Sequence, residues 1–255
     1  MRTPNPCWPL TLILVTAFYM AAEEDQKQTG PTTLVIQYHC PPGQRTPLRQ
    51  AAVNSLPRYE ALKTNGVLAG YHLLFSRYVN TNSWDLLAVL NFRTFADVAK
   101  WKEVELRDPA GLSADGLAAT SAIFTYPADA VRGNASDSPG VHPVYLVIPY
   151  TLSVSQPAYL QYVDGYVRPQ FEGWMREGVL TRYEIFVQRY TASRPWDSLI
   201  LLQYKDDESL GLREAVVAKV RSELAKDPAW KAFSDSKQNM RVGKEVVIAD
   251  ELSAQ

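Results

Sequence analysis

The stretch Gly66–Phe92, GVLAGYHLLFSRYVNTNSWDLLAVLNF, decides how this chain is read, because the chain writes it twice. Gly178–Tyr204, GVLTRYEIFVQRYTASRPWDSLILLQY, repeats it at a constant offset of 112 residues. The offset holds without a gap back to Leu34, where LVIQY is matched by LVIPY at Leu146. Pro57/Pro169, Gly66/Gly178, Arg77/Arg189, Tyr78/Tyr190, Trp84/Trp196 and Asp85/Asp197 are identical pairs. A repeat of this kind constrains architecture before any single element is weighed.

Working outward from the quoted stretch, Tyr71–Val79 and Trp84–Phe92 read as two strands joined by the polar turn Asn80-Thr81-Asn82, with copies at Tyr183–Thr191 and Trp196–Tyr204. Gly66 and Gly178 sit where a helix ends in a left-handed residue. The preceding helix, Arg49–Lys63, buries Leu48, Ala52, Leu56, Tyr59 and Leu62 at a spacing of three and four. Pro57 and Pro169 predict a kink shared by both copies. Before each helix stands a β-branched strand, Thr32–Cys40 in the first copy. After the hairpins come helices at Phe95–Leu106 and Ser209–Ala225 and closing strands at Ser121–Tyr126 and Lys244–Ala249. Residues 127–143, rich in Pro, Gly, Asp and Ser, read as a linker.

The expected fold is therefore α+β, with two tandem βαββαβ ferredoxin-like repeats at residues 32–126 and 144–252. Each repeat leaves one apolar sheet face uncovered, and packing sheet to sheet covers it. In element order and duplication the chain resembles the dimeric α/β-barrel superfamily, which includes antibiotic-biosynthesis-type monooxygenases, stress-responsive barrel proteins and EthD-like proteins. The resemblance spans Thr32–Leu252, carries no catalytic motif, and implies a pseudo-dimeric barrel within one chain. Chlorite dismutases and dye-decolorising peroxidases use duplicated versions of this fold and hold haem through a histidine of the C-terminal half. This sequence departs from that pattern, since the only histidine after the first half is His142, at the linker's end. No cofactor is expected.

Length and composition agree with a two-part globular chain of 255 residues. A net charge of −1 offers no basic field for nucleic acid, and no Gly-rich phosphate loop or nucleophile elbow is present. Arg2, the apolar run Leu10–Met20 and Ala21-Ala22 follow the order of a secretory signal peptide, with residues 1–22 removed and residues 23–31 left as a polar arm. The run is shorter than the ~20 apolar residues of a membrane span, so no membrane association is expected after cleavage. Cleavage takes Cys7 with it and leaves Cys40 alone, which reads as a buried or half-buried thiol.

Identical residues of the two copies read as structure: Arg77/Asp85 and Arg189/Asp197 as cross-strand ion pairs, Tyr78/Trp84 and Tyr190/Trp196 as aromatic clasps. Tyr145, Trp101, Trp174 and Trp230 read as core. Polar residues that differ between copies are the functional candidates. Alternation puts Gln37, His39, His72, Ser76 and Asn91 on the sheet face turned into the barrel. With the first and third strands taken as parallel, His39, Asn91 and His72 form a row of roughly 10 Å at one edge, and Thr151, Gln203 and Glu184 form its counterpart. Gln188 copies Ser76.

Three readings of the row stay open. It could orient a small ligand, with His39 or His72 as acid or base. It could hold a metal through His39 and His72 with Glu184, although ~10 Å is long for one ion, so no metal is expected. It could be inert. The resemblance implies cofactor-independent oxygenation or isomerisation carried by His39, His72 and Asn91, with Gln37, Ser76, Thr151, Glu184, Gln188 and Gln203 lining an inter-sheet cavity. The expected partner is a small apolar or aromatic molecule, with room for further homo-oligomerisation. The rival is a non-catalytic binding scaffold. For the export reading, the intact mass of the protein recovered outside the cytoplasm should correspond to a chain beginning at Glu23; a mass retaining residues 1–22 overturns it.

Overall fold

A computed structural model describes residues 30–138, 140–190 and 195–253. The expected signal peptide, most of the polar arm and most of the second hairpin turn lie outside these residues. The first half runs β1 (Thr33–His39), α1 (Arg45–Thr64), β2 (Gly70–Ser76), β3 (Leu86–Asn91), α2 (Phe95–Arg107), α3 (Ala114–Ala119) and β4 (Ala122–Ala135). The second runs β5 (Val144–Leu152), α4 (Gln156–Tyr162), α5 (Arg168–Arg176), β6 (Leu180–Gln188), β7 (Ser198–Tyr204), α6 (Asp207–Gly211), α7 (Arg213–Leu224), α8 (Pro228–Ser236), β8 (Arg241–Gly243) and β9 (Val247–Glu251). None of the described helices is long and apolar enough to cross a membrane.

The strands close into an eight-stranded antiparallel barrel, β1-β3-β2-β9-β5-β7-β6-β4 and back to β1. The short β8 adds to the far end of β5, pairing Tyr150–Leu152 with Gly243–Arg241. Closure leaves no free edge in the ring. The strand order is β4-β1-β3-β2 in one half and β9-β5-β7-β6 in the other, and two seams join them. At one seam Leu74, Phe75 and Ser76 pair with Glu251, Asp250 and Ala249; at the other Phe186, Val187 and Gln188 pair with Ala130, Asp129 and Ala128. The β2 and β6 residues in those two sets differ by the repeat offset of 112.

The first and third strands are antiparallel, with Thr33 opposite Asn91 and Tyr38 opposite Leu86, which corrects the parallel arrangement expected above. The reason is topological. A strand–helix–strand crossover returns β2 parallel to β1, and the hairpin then sends β3 back between them. β4 supplies a second correction: it continues as strand through residues 127–135, which their composition assigns to a linker. Its first part pairs with β1 and its second with β6, across a bulge between Ala130 and Arg132. Pairing with β1 up to Ala128 and with β6 from there to Ala135 outweighs the low strand propensity of Pro, Gly and Asn.

The left-handed glycines stand as expected, Gly66 at φ 74° and Gly178 at φ 79°. Each closes its helix with a pair of backbone bonds, from Gly66 to Lys63 and Val67 to Leu62, and from Gly178 to Met175 and Val179 to Trp174. The two prolines sit in different local structure. α1 runs unbroken through Pro57, whereas a π turn at Val163–Val167 precedes Pro169 and gives the missing proline N–H a wider loop.

Helices cover the outside of the barrel. Leu48, Leu56, Tyr59 and Trp101 pack on Ile36 and Leu90 in one half; Tyr159, Phe171, Trp174 and Trp230 pack on Ile185 and Leu202 in the other. The barrel interior is a third core, in which Val35, Leu74, Leu87, Val147, Phe186 and Leu201 are almost fully buried. These side chains occupy the middle of the space where the inter-sheet cavity was expected.

The conserved-looking pairs of the repeat are also reassigned. Arg77 pairs with Asp250 and Asp207, and Arg189 with Asp129 at 2.5 Å, so each arginine ties a seam between halves rather than its own hairpin. Trp84 and Trp196 are buried, whereas Tyr78 is 65% exposed and Tyr190 61%, so the two members of each expected clasp differ sharply in burial. The tryptophans face the barrel interior and the tyrosines lie beyond the strand ends. Phe186→Ala should therefore cost about 3–5 kcal/mol in urea unfolding, whereas Tyr78→Ala should stay within about 0.5 kcal/mol of wild type.

Candidate functional site

Residues at one repeat position of the two halves meet inside the barrel. His72 and Glu184, offset by 112 residues, come together with His72 Nε2 3.1 Å from Glu184 Oε2. Trp84 and Trp196 share a cavity at the opposite mouth. At these two mouths, positions related by the sequence offset thus face one another across an axis through the barrel.

At the first mouth His72 is held from both sides. Nδ1 lies 2.7 Å from Glu251 Oε1, and the other carboxylate oxygen of Glu251 accepts from the Tyr145 hydroxyl at 2.8 Å. Glu184 makes an ion-pair contact off the N–H axis and lies 3.8 Å from Arg182. Burial opposes the imidazolium charge, but the two carboxylates outweigh it and raise the His72 pKa to about 9. Burial would likewise raise Glu184 and Glu251, and the imidazolium reverses that, holding both below the usual carboxylate range. Burial, then Glu251, pushes Tyr145 well up. His72 is therefore a fixed cation at neutral pH and has no free lone pair with which to act as a base.

A cavity of about 380 Å³ opens beside this cluster, lined with Glu60, Lys63, Asn91 and Arg182 as well as His72 and Glu251. Asn91 accepts a hydrogen bond from the Thr33 hydroxyl at 3.0 Å. Gln203 belongs to this end too, paired in register with Tyr145 across β5 and β7.

His39 does not join them. Antiparallel pairing carries the end of β1 to the opposite mouth, so the expected row of His39, Asn91 and His72 is not formed, and the two histidines cannot share an ion. Thr151 is likewise displaced, to the β5 end that pairs with β8. At the second mouth a cavity of about 280 Å³ has Trp84, Trp196, Leu199 and Val247 as its apolar lining, with Gln37 and His39 beside them. Asn82, Ser83, Lys244 and Glu245 form its polar rim. The buried Trp196 ring meets Tyr126 edge-on at 5.6 Å, and its Nε1 has no hydrogen-bond partner among the described residues.

Ser76 is engaged structurally. Its hydroxyl accepts from Arg45 at 3.0 Å, and Arg45 also pairs with Asp85 and stacks over Phe75 at 4.7 Å. Asp85 accepts in turn from the Cys40 N–H at 2.8 Å. Burial, then Asp85, lifts the Cys40 thiol to about 12, which makes it a poor nucleophile. Gln188 is buried near Asp197, on the wall of a separate small cavity.

Sequence reasoning missed Glu251, Tyr145 and Arg45. Tyr145 reads as core because alternation says that it is buried without saying what its hydroxyl meets. Glu251 lies beyond the strand expected at Lys244–Ala249, and only the β2–β9 seam brings it to His72.

No family model and no curated protein matches the sequence. Solved structures share the fold. A protein from Lactobacillus acidophilus described as a "putative monooxygenase" aligns at 13% identity over 88% of this chain and 95% of its own, with a TM-score of 0.54. One from Fusobacterium nucleatum with the same description aligns at 12% identity over 88% and 93%, with a TM-score of 0.55. An anthrone oxidase-like protein aligns at 13% identity over 88% and 92%, with a TM-score of 0.52. These likenesses establish the α+β barrel.

The raised His72 pKa fixes the sign of a pH effect. A group whose folded pKa exceeds its unfolded value stabilises fully below the unfolded value of about 6.5 and loses that contribution as pH rises through the folded one. Unfolding free energy should fall between neutrality and about pH 10, and His72→Gln should remove that slope. The same variant should lower stability at pH 7 by about 3–5 kcal/mol, because it leaves two carboxylates facing without their cation.

Proposed function

We propose that this is an exported small-molecule-binding barrel whose ligand occupies the mouth between Trp84 and Trp196. The orphaned Trp196 indole N–H carries the reading. A buried donor without an acceptor costs about 1–3 kcal/mol, and a turn of the Trp196 ring toward the adjoining cavity would let a ligand oxygen satisfy it. The two indoles, Leu199 and Val247 favour a flat apolar or aromatic molecule, and Gln37 and His39 can orient its polar group. We further infer that the halves are tandem ferredoxin-like repeats, on the matched seams and strand orders.

A second reading rests on His39. A histidine and an indole N–H on one small cavity could together remove a proton from a bound phenol or ketone and hold the oxyanion that results. Fold neighbours described as monooxygenases make cofactor-independent oxygenation the first chemistry to assay, with isomerisation next. A non-catalytic scaffold is the remaining outcome.

Tryptophan fluorescence titrated with a panel of aromatic ketones and phenols tests binding. Quenching that Leu199→Trp abolishes and His72→Gln leaves intact supports the mouth site; equal quenching in both variants refutes it. If catalysis follows, His39→Ala should lower turnover by about 100-fold or more while binding persists.

A further inference from the structure

The two halves carry the same small site at the base of their hairpins, and only the first half fills it. In the first half Asp85 accepts from the Cys40 N–H at 2.8 Å; in the second, Asp197 accepts from the Leu152 N–H at the same distance. Beside Asp85 the Arg45 guanidinium donates to the carboxylate, to the Ser76 hydroxyl and to the Ser76 carbonyl. The repeat offset puts Pro157 where Arg45 stands and Gln188 where Ser76 stands. A proline cannot supply that cation.

What remains is a cavity of about 170 Å³ bounded by Leu152, Val154, Gln156, Val187, Gln188 and Asp197. Each of these residues except Gln156 and Val154 has its counterpart around the Arg45 head group in Cys40, Phe75, Ser76 and Asp85. Gln188 is 2% exposed, and among the described residues neither its Nε2 nor its Oε1 has a hydrogen-bond partner. Among the described residues no cation pairs with Asp197. The nearby Arg241, opposite Leu152 on β8, is held over the Tyr150 ring at 3.7 Å and donates to the Tyr159 hydroxyl. A buried amide without partners is costly unless something fills the space, and the half-buried Asp197 carboxylate beside it offers an acceptor that no cation among the described residues takes.

We propose that this cavity binds a guanidinium group from outside the chain, either a small guanidine compound or an arginine head group. The planar head would donate to Asp197 and to Gln188 Oε1 as Arg45 donates to Asp85 and Ser76, the fork geometry that a point-like ammonium matches less well. One element differs between the halves: Arg45 stacks on Phe75, whereas its counterpart Val187 offers an aliphatic wall. The site is distinct from the tryptophan-lined mouth and does not depend on the function assigned there.

The test uses the whole mature protein, methylguanidinium as the probe and urea as its uncharged planar counterpart. Methylguanidinium at non-denaturing concentrations should shift the Gln188 side-chain amide resonance saturably, and urea should not. Asp197→Asn keeps an oxygen for the Leu152 N–H but removes the charge, and should weaken the probe about tenfold or more. Pro157→Arg supplies the head group from within and should abolish probe binding. Equal shifts from urea and methylguanidinium, or undiminished binding to Asp197→Asn, would show a cavity that holds solvent only and would overturn the proposal. Should Pro157→Arg not fold, those two comparisons still decide.

Discussion

A four-stranded sheet with helices on one side has an apolar face that water penalises, and in this protein everything else follows from covering it. Each half supplies the cover for the other. Val35, Leu74 and Leu87 from the first half interdigitate with Val147, Phe186 and Leu201 from the second, and the interior closes as a dry core. The two antiparallel seams finish the hydrogen bonding that open sheets would leave at their edges. Ordering is thereby shared, since neither half has a covered sheet without the other.

An axis across which offset-related positions meet imposes a rule on the sequence. Residues away from the axis never meet their own copies and can remain identical, as Arg77 and Arg189 do while each ties a different seam. Residues on the axis face their copies. Two glutamates or two imidazolium groups at the position of His72 and Glu184 would repel one another in a low-dielectric interior. The change in one copy turns that clash into an ion pair, and Glu251 with Tyr145 completes its shell. Trp84 and Trp196, apolar over most of their surface, could stay alike. At the position of His72 and Glu184 the copies differ where identity would be destabilising, and the barrel has two chemically different mouths, one charged and one aromatic.

The same divergence appears at the hairpin bases, where one copy has its arginine and the other a proline. The side chain differs at this position while the surrounding shell, set by strand register, is the same in both halves.

Much of this was written in the sequence. The constant offset of 112, the glycines at 66 and 178 and the alternation of the strands determined the repeat, the left-handed helix ends and which strand faces turn inward, because these are local properties of backbone sterics and side-chain period. Direction and partnership were not local. That β3 opposes β1, that His39 and His72 lie at opposite mouths, and that residues 127–135 form strand depend on how the chain returns through α1 and on which edge each half meets. The pairing of His72 with Glu184 and Glu251, across 112 and 179 residues, exists only once the barrel is closed. Its electrostatics then raise the pKa of a histidine that titrates near neutrality in isolation to about 9, a change that two facing carboxylates cause against the opposing effect of burial and that no stretch of the sequence contains.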